Sequence, residues 1–348
     1  MVINRGFKNI IRSYPEQGYF TYFNRNTGLF ARIEKKGHQL PFWAIHGPEQ
    51  LDISITNWCD RNCSFCYRNS NITGKHMSME SLDLILKQAH EIGVCQIALG
   101  GGNPNQHPNF IKILNLIREK YDIVPTYTTN GRGLSEEIIR STKKYCGAVA
   151  VSAYPPFREM VKAIRIFTSR NIKTNIHFLL TSKSIETAIL WLKNPPKILS
   201  KINALIFLNY KPVGNNADLN IQLSKSKRIN KFFNLLSQER HNFKIGFDSC
   251  SISGIVKYLN IDYTFLEACE AGRFSCFISE EMKMYPCSFM VKKSNGSELK
   301  KNKIIDIWKY ENSFKEIRER IYNNNCNTCE SRDVCLGGCP SFKSINLC

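Results

Sequence analysis

The chain has 348 residues, 43% of them hydrophobic, with 14 cysteines and a formal net charge of +19 at pH 7. That length suits one large domain plus a small one, and no apolar run approaches the roughly 20 residues of a membrane span. Met1 to Arg12 is basic without an apolar core, which excludes a secretory signal, so the cysteines point to metal or redox use and a cytoplasmic location is expected.

Residues 1–50 read as an accessory segment. Tyr19–Phe23 and Leu29–Ile33 flank Asn24-Arg25-Asn26-Thr27-Gly28, which predicts a β-hairpin. From Leu51 strand and helix patterns alternate. Strands are expected at Leu51–Ile55, Val94–Leu99, Ile123–Thr128, Ala148–Ala153, Ile172–Leu180 and Ala204–Tyr210. Helices are expected at Ser78–Ile92, Pro108–Lys120, Ser135–Lys144, Glu159–Ser169 and Ser184–Leu192, the third opened by Ser135 with Glu136 and Glu137 in its first turn. This βα rhythm predicts a parallel α/β layout, barrel-like or doubly wound. Residues 226–265 are less regular, with a helix at Ile229–Leu236 and a strand at Phe243–Phe247, and are expected as a bridge. Beyond 266 cysteine density rises and the rhythm stops, which marks a second domain over 266–348.

The first expected βα loop carries Cys59, Cys63 and Cys66, spaced C-x3-C-x2-C, with Phe65 before the last. Thiolates hold iron–sulfur clusters, and three ligands on a four-iron cube leave one iron open. Zinc is the alternative, but zinc knuckles favour C-x2-C pairs. Gly100-Gly101-Gly102-Asn103-Pro104 follows the second strand, where glycines let backbone approach a ligand. Thr129-Asn130-Gly131, Val151-Ser152 and Leu208-Asn209 end later strands. His76, His107 and His177 are weighed as structural histidines, and Cys95 and Cys146 as core residues.

The triplet and these strand-end motifs resemble the radical S-adenosylmethionine (radical SAM) enzymes. The resemblance implies an open partial (β/α)6 TIM-like barrel over 51–225, a [4Fe–4S] cluster on Cys59, Cys63 and Cys66, and SAM on its open iron. It places Phe65, Gly101, Gly102, Asn103, Pro104, Thr129, Asn130, Ser152 and Asn209 around SAM, with Asn103 standing where the family has an acid.

Near the C-terminus stand Cys269, Cys276 and Cys287, then Cys326, Cys329, Cys335, Cys339 and Cys348. This pattern resembles the SPASM domain of peptide-modifying radical SAM enzymes. By that resemblance Cys269, Cys276, Cys287 and Cys339 would hold one auxiliary [4Fe–4S] cluster, and Cys326, Cys329, Cys335 and Cys348 a second, making three in all. Two zinc sites are the alternative. Cys250 and Asp248, in the bridge, are the candidate catalytic residues: a hydrogen-atom donor and a base.

The resemblance implies a maturase that abstracts a hydrogen atom from a ribosomally made precursor peptide to excise, crosslink or epimerise a residue. Sulfatase-maturase-like oxidation of Cys or Ser is the alternative, though Ser288 stands where that group has an acid. A non-enzymatic electron-transfer protein is another, and explains the cysteines but not the glycine loop. Expected partners are the peptide, a separate leader-recognition protein and an electron donor such as flavodoxin or ferredoxin. The +19 charge suits an acidic partner, but the lysines are scattered, so neither nucleic acid nor membrane is expected.

Overall fold

The computed structural model describes residues 8–214, 217–238 and 240–348. Part of the basic N-terminal stretch therefore lies outside the described residues. Three antiparallel strands, β1 (Asn9–Tyr14), β2 (Tyr19–Asn24) and β3 (Phe30–Glu34), form a first sheet. The expected hairpin is β2–β3, with Phe23 opposite Phe30. The Asn24 Oδ1 accepts the Asn26 and Thr27 N–H groups, which closes the loop. Strand β1 was not legible beforehand.

The main sheet runs β10-β9-β8-β7-β6-β5-β4-β11-β12-β13. Its parallel strands are β4 (Gln50–Thr56), β5 (Gln96–Gly101), β6 (Val124–Thr129), β7 (Ala148–Ser152), β8 (Thr174–Leu180), β9 (Ala204–Asn209) and β10 (Lys244–Phe247). Connecting helices are α1 (Met79–Ile92), α2 (Phe110–Asn115), α3 (Glu136–Tyr145), α4 (Arg158–Ser169), α5 (Ile185–Lys193) and α6 (Lys227–Gln238). Ser78 and Ser135 cap α1 and α3 by accepting the N–H groups of Ser81 and Ile138. Strands β4 and β10 do not pair, so the fold is an open partial (β/α) barrel.

Strand alternation gives this barrel two unlike faces. Ile53, Ile97, Leu99, Val149, Val151, Ile176, Phe178 and Phe207 are buried in the core shared with the helices. The opposite face carries Asp52, Ser54, Ala98, Gly100, Thr126, Thr128, Ser152 and His177, a polar lumen.

Two features depart from expectation. The segment expected as a bridge adds α6 and β10, and β10 pairs in parallel with β9 from Lys244↔Ala204 to Phe247↔Phe207. At the other edge β11 (Ser275–Ile278) pairs in parallel with β4, followed by β12 (Lys283–Tyr285) and β13 (Ser297–Glu298). The C-terminal region thus extends the barrel sheet directly.

Candidate functional site

The Cys59–Cys66 loop leaves the C-terminal end of β4, where barrel sites are built. The Cys59 N–H donates to the Asn71 carbonyl at 2.9 Å, and the Cys66 N–H to the Cys63 carbonyl at 3.0 Å. Thr56 Oγ1 accepts the Trp58 N–H at 2.9 Å and contacts His76 Nδ1 at 2.8 Å, which fixes the loop's first turn. Two donors face the sulfurs: Ser70 N–H lies 3.4 Å from Cys66 Sγ, and Asn130 Nδ2 lies 3.7 Å from Cys59 Sγ. Burial pushes the Cys59 and Cys63 thiols up, and each also senses Cys66.

The glycine loop packs against this backbone. A Cβ on Gly101 (φ +109°) would stand 2.0 Å from the Thr56 carbonyl, and one on Gly102 2.0 Å from that of Trp58. The Gly102 N–H donates to Thr56 O at 2.7 Å and the Asn103 N–H to Trp58 O at 3.0 Å. These two glycines therefore serve close approach to the cysteine loop, whereas Gly100 has nothing within 4 Å and faces the lumen. Asn103 is buried, its Oδ1 accepting the Asn130 N–H at 3.1 Å and its Nδ2 reaching Arg132 O at 3.4 Å. It braces the third strand's end, and Pro104 opens the short turn that follows.

Asn130 donates to Asp60 Oδ1 at 2.9 Å as well as facing Cys59, and Thr129 Oγ1 donates to Asn105 Oδ1 at 2.7 Å. Phe65 packs on Tyr154 with ring centroids 5.1 Å apart, and the Arg61 guanidinium lies 5.1 Å above the same Tyr154 ring. Tyr154 and Arg61 were not singled out in the sequence; their contact arises only when the β7 end meets the cysteine loop. Ser152 pairs in register with His177, whose imidazole burial pushes down to about 4 despite Asp248. Asp52 lines the same lumen, and burial, then Glu270, pushes it up to about 6. His107 is structural: Nε2 contacts Met77 O at 2.9 Å and Nδ1 accepts the Asn109 N–H at 3.0 Å.

Asn209 turns away from the lumen. Its Nδ2 donates to Ile345 O at 3.2 Å, and its N–H is taken by the Asp248 carboxylate. The cause is alternation: in β9 Ile206 and Leu208 share the lumen face, and Asn209 follows Phe207 outward. The Asn209 Oδ1 is buried with no hydrogen-bond partner among the described residues, and the expected SAM contact there stays a proposal. Asp248 also pairs with Lys211 and accepts from Ser251 Oγ at 2.7 Å, so its carboxylate is engaged within the protein.

The C-terminal cysteines fall into separate neighbourhoods. Cys250 and Cys339 lie together in a small apolar cluster with Phe289 and Tyr67. Cys269 senses the charges of Cys250 and Cys287, and Cys339 senses Cys269. Cys276 is elsewhere: on β11 opposite Leu51, 2% exposed, in the main core, with Asp52 and Arg318 as its charged neighbours. In the last group Cys335 senses Cys348 and Cys326, and Cys329 is exposed.

Among the described residues no three His, Cys, Asp or Glu side chains converge on a single metal ion. The fit to a cluster rests on donor chemistry: half-buried soft thiolates on one loop, with N–H groups aimed at two of the sulfurs. Among the described residues no helix is long and apolar enough to cross a membrane.

Residues 53–188 match the radical SAM superfamily model, and a radical SAM domain implies a [4Fe–4S] cluster and SAM. The chain is 33% identical over 85 residues to a probable GTP 3′,8-cyclase of Pyrococcus abyssi, and that match spans 28% of the cyclase's length. It is 22% identical over 339 residues to the mycofactocin maturase MftC of Mycobacterium tuberculosis, covering 86% of this chain and 80% of that one. The fold is similar to that of Streptococcus suis SuiB, with a TM-score of 0.73 at 16% identity, over 97% of this chain and 95% of that one.

Proposed function

We propose that this radical SAM chain is a peptide maturase, acting on a ribosomally made precursor by hydrogen-atom abstraction to excise, crosslink or epimerise a residue. The observation that carries the reading is the placement of the three-cysteine loop at the mouth of a polar, open-sided barrel lumen, with a second cysteine group behind it. The long similarity to a mycofactocin maturase supports a peptide substrate, as does the likeness to SuiB, a protein solved both with SAM and with its precursor peptide SuiA.

A bound [4Fe–4S] cluster, reduced in the presence of SAM, would supply a 5′-deoxyadenosyl radical. The chain's own residues prepare the place. Cys59, Cys63 and Cys66 would hold the iron, with Asn130 and Ser70 orienting two sulfurs. Phe65 and Tyr154 form an apolar wall at the rim, and Gly100 leaves room in the lumen. His177 stays neutral at physiological pH and so offers the lumen a polar but uncharged group.

For the auxiliary sites we favour Cys250, Cys269, Cys287 and Cys339 together, which replaces Cys276 by Cys250 and removes Cys250 as a free hydrogen-atom donor. Cys326, Cys329, Cys335 and Cys348 would hold the other cluster. The expected base, Asp248, is tied to Lys211 and Ser251, which argues against the sulfatase-maturase alternative. A leader-recognition protein and a flavodoxin- or ferredoxin-like donor complete the proposed system.

The test is anaerobic reconstitution with iron, sulfide, SAM and dithionite. Release of 5′-deoxyadenosine, with a mass change in a co-expressed short peptide, is expected; no 5′-deoxyadenosine would sink the enzyme reading. Iron counting tests the ligands: Cys250→Ala should lose about one cluster's iron, and Cys276→Ala should lose none.

A further inference from the structure

Lys211 follows the end of β9, and its side chain is 2% exposed. An ammonium buried this far costs several kcal/mol unless paired. Its partner is Asp248, which also accepts the Asn209 N–H and the Ser251 hydroxyl. The ammonium stands 4.7 Å from the centroid of the Phe289 ring. Every one of these neighbours belongs to the cysteine group by chain position. Asp248 lies two residues before Cys250, Phe289 lies two after Cys287, and Phe289 packs in one apolar cluster with Cys250 and Cys339. Cys250, Cys287 and Cys339 all feel the Lys211 charge. So little of Lys211 is exposed that it is not a substrate-binding group.

We infer that Lys211 is a positioning residue for charge: its buried ammonium raises the reduction potential of the cluster held by Cys250, Cys269, Cys287 and Cys339, and Asp248 moderates it. This rests on the cluster reading given above. Adding one electron, from dithionite or a protein donor, makes the cluster more negative and breaks no bond. A fixed positive charge in a water-excluded site favours that reduced state, because Coulomb energies grow as the effective dielectric falls. Net charge and hydrogen bonding around the sulfurs are established determinants of cluster potential.

The experiment is a potentiometric titration followed by electron paramagnetic resonance on the full chain, reconstituted with iron and sulfide. A background with Cys59, Cys63 and Cys66 all changed to Ala leaves the auxiliary signals alone. Lys211→Gln should move one auxiliary potential to more negative values, Lys211→Arg should restore it, and Asp248→Asn should move it to more positive values. A Lys211→Gln protein that keeps its iron at an unchanged potential would overturn the inference. Should that variant fail to hold iron, Asp248→Asn decides alone, and an unchanged potential there has the same consequence. The failure of the cluster reading looks different: the background protein would hold at most one cluster's iron, and Cys250→Ala in that background would remove none of it.

Discussion

Arg68, two residues beyond the last cysteine of the barrel loop, pairs with Glu280 at 2.7 Å, and the same Glu280 oxygen accepts the Ser54 hydroxyl at 2.7 Å. Their side chains are 4% and 8% exposed. Glu280 sits in the turn between β11 and β12, so this pair ties the cysteine loop to the C-terminal region across the β4 edge.

Breaking that pair strands a buried charge. Glu280→Ala should cost about 3–5 kcal/mol, and a double Arg68→Met, Glu280→Leu change should recover most of the loss. Urea unfolding checks both. A double variant no more stable than Glu280→Ala would show that the pair acts through geometry rather than charge.

Asn130 offers an N–H to Cys59 while gripping Asp60. Asn130→Ala should weaken iron retention by about 10–100-fold, the usual effect of losing a group that orients a ligand. Iron release during a chelator challenge measures this. Stability should change little, so equal losses of iron and of folding would refute the orienting role.

Two glycines of one loop should behave oppositely. Gly102→Ala forces a Cβ against the Trp58 carbonyl and should disrupt the cysteine loop. Gly100→Val meets open space, so the protein should fold and bind iron but bind SAM at least tenfold more weakly. Equilibrium dialysis with SAM, beside a thermal melt, separates the two effects.

His177 makes a pH prediction. Burial lowers its folded value to about 4, below the ordinary 6.5 of an unfolded histidine. Above pH about 6.5 both states are neutral and His177 is without cost; as pH falls, the unfolded state takes the proton first and stability is lost down to about 4. His177→Gln should therefore flatten the stability profile between those values. Denaturant midpoints at stepped pH will show it, and an unchanged slope would place His177 in contact with water.

Much of this architecture is written locally. The run from Leu51 to Tyr210 alternates two side-chain periods, and five of the expected helices and six strands form within a few residues of their expected ends. Ser135 was legible as a helix start because a cap is decided by a residue and the N–H groups just after it. Strand β10 was seen but not its role, because pairing with β9 joins segments roughly forty residues apart.

The division is sharpest at the cysteines. Spacing alone determined that Cys59, Cys63 and Cys66 share one loop, since so few residues cannot carry them apart, and the βα rhythm determined that this loop follows a strand of a parallel α/β layout. Only the tertiary structure decided which distant thiols meet. The meeting of Cys250 with Cys339 depends on the path of β10 and of the C-terminal tail, and the burial of Cys276 in the main core depends on which face of β11 it occupies. A one-residue shift in strand register reverses that face, and register is set by pairing and burial across the whole sheet rather than by neighbours in the chain.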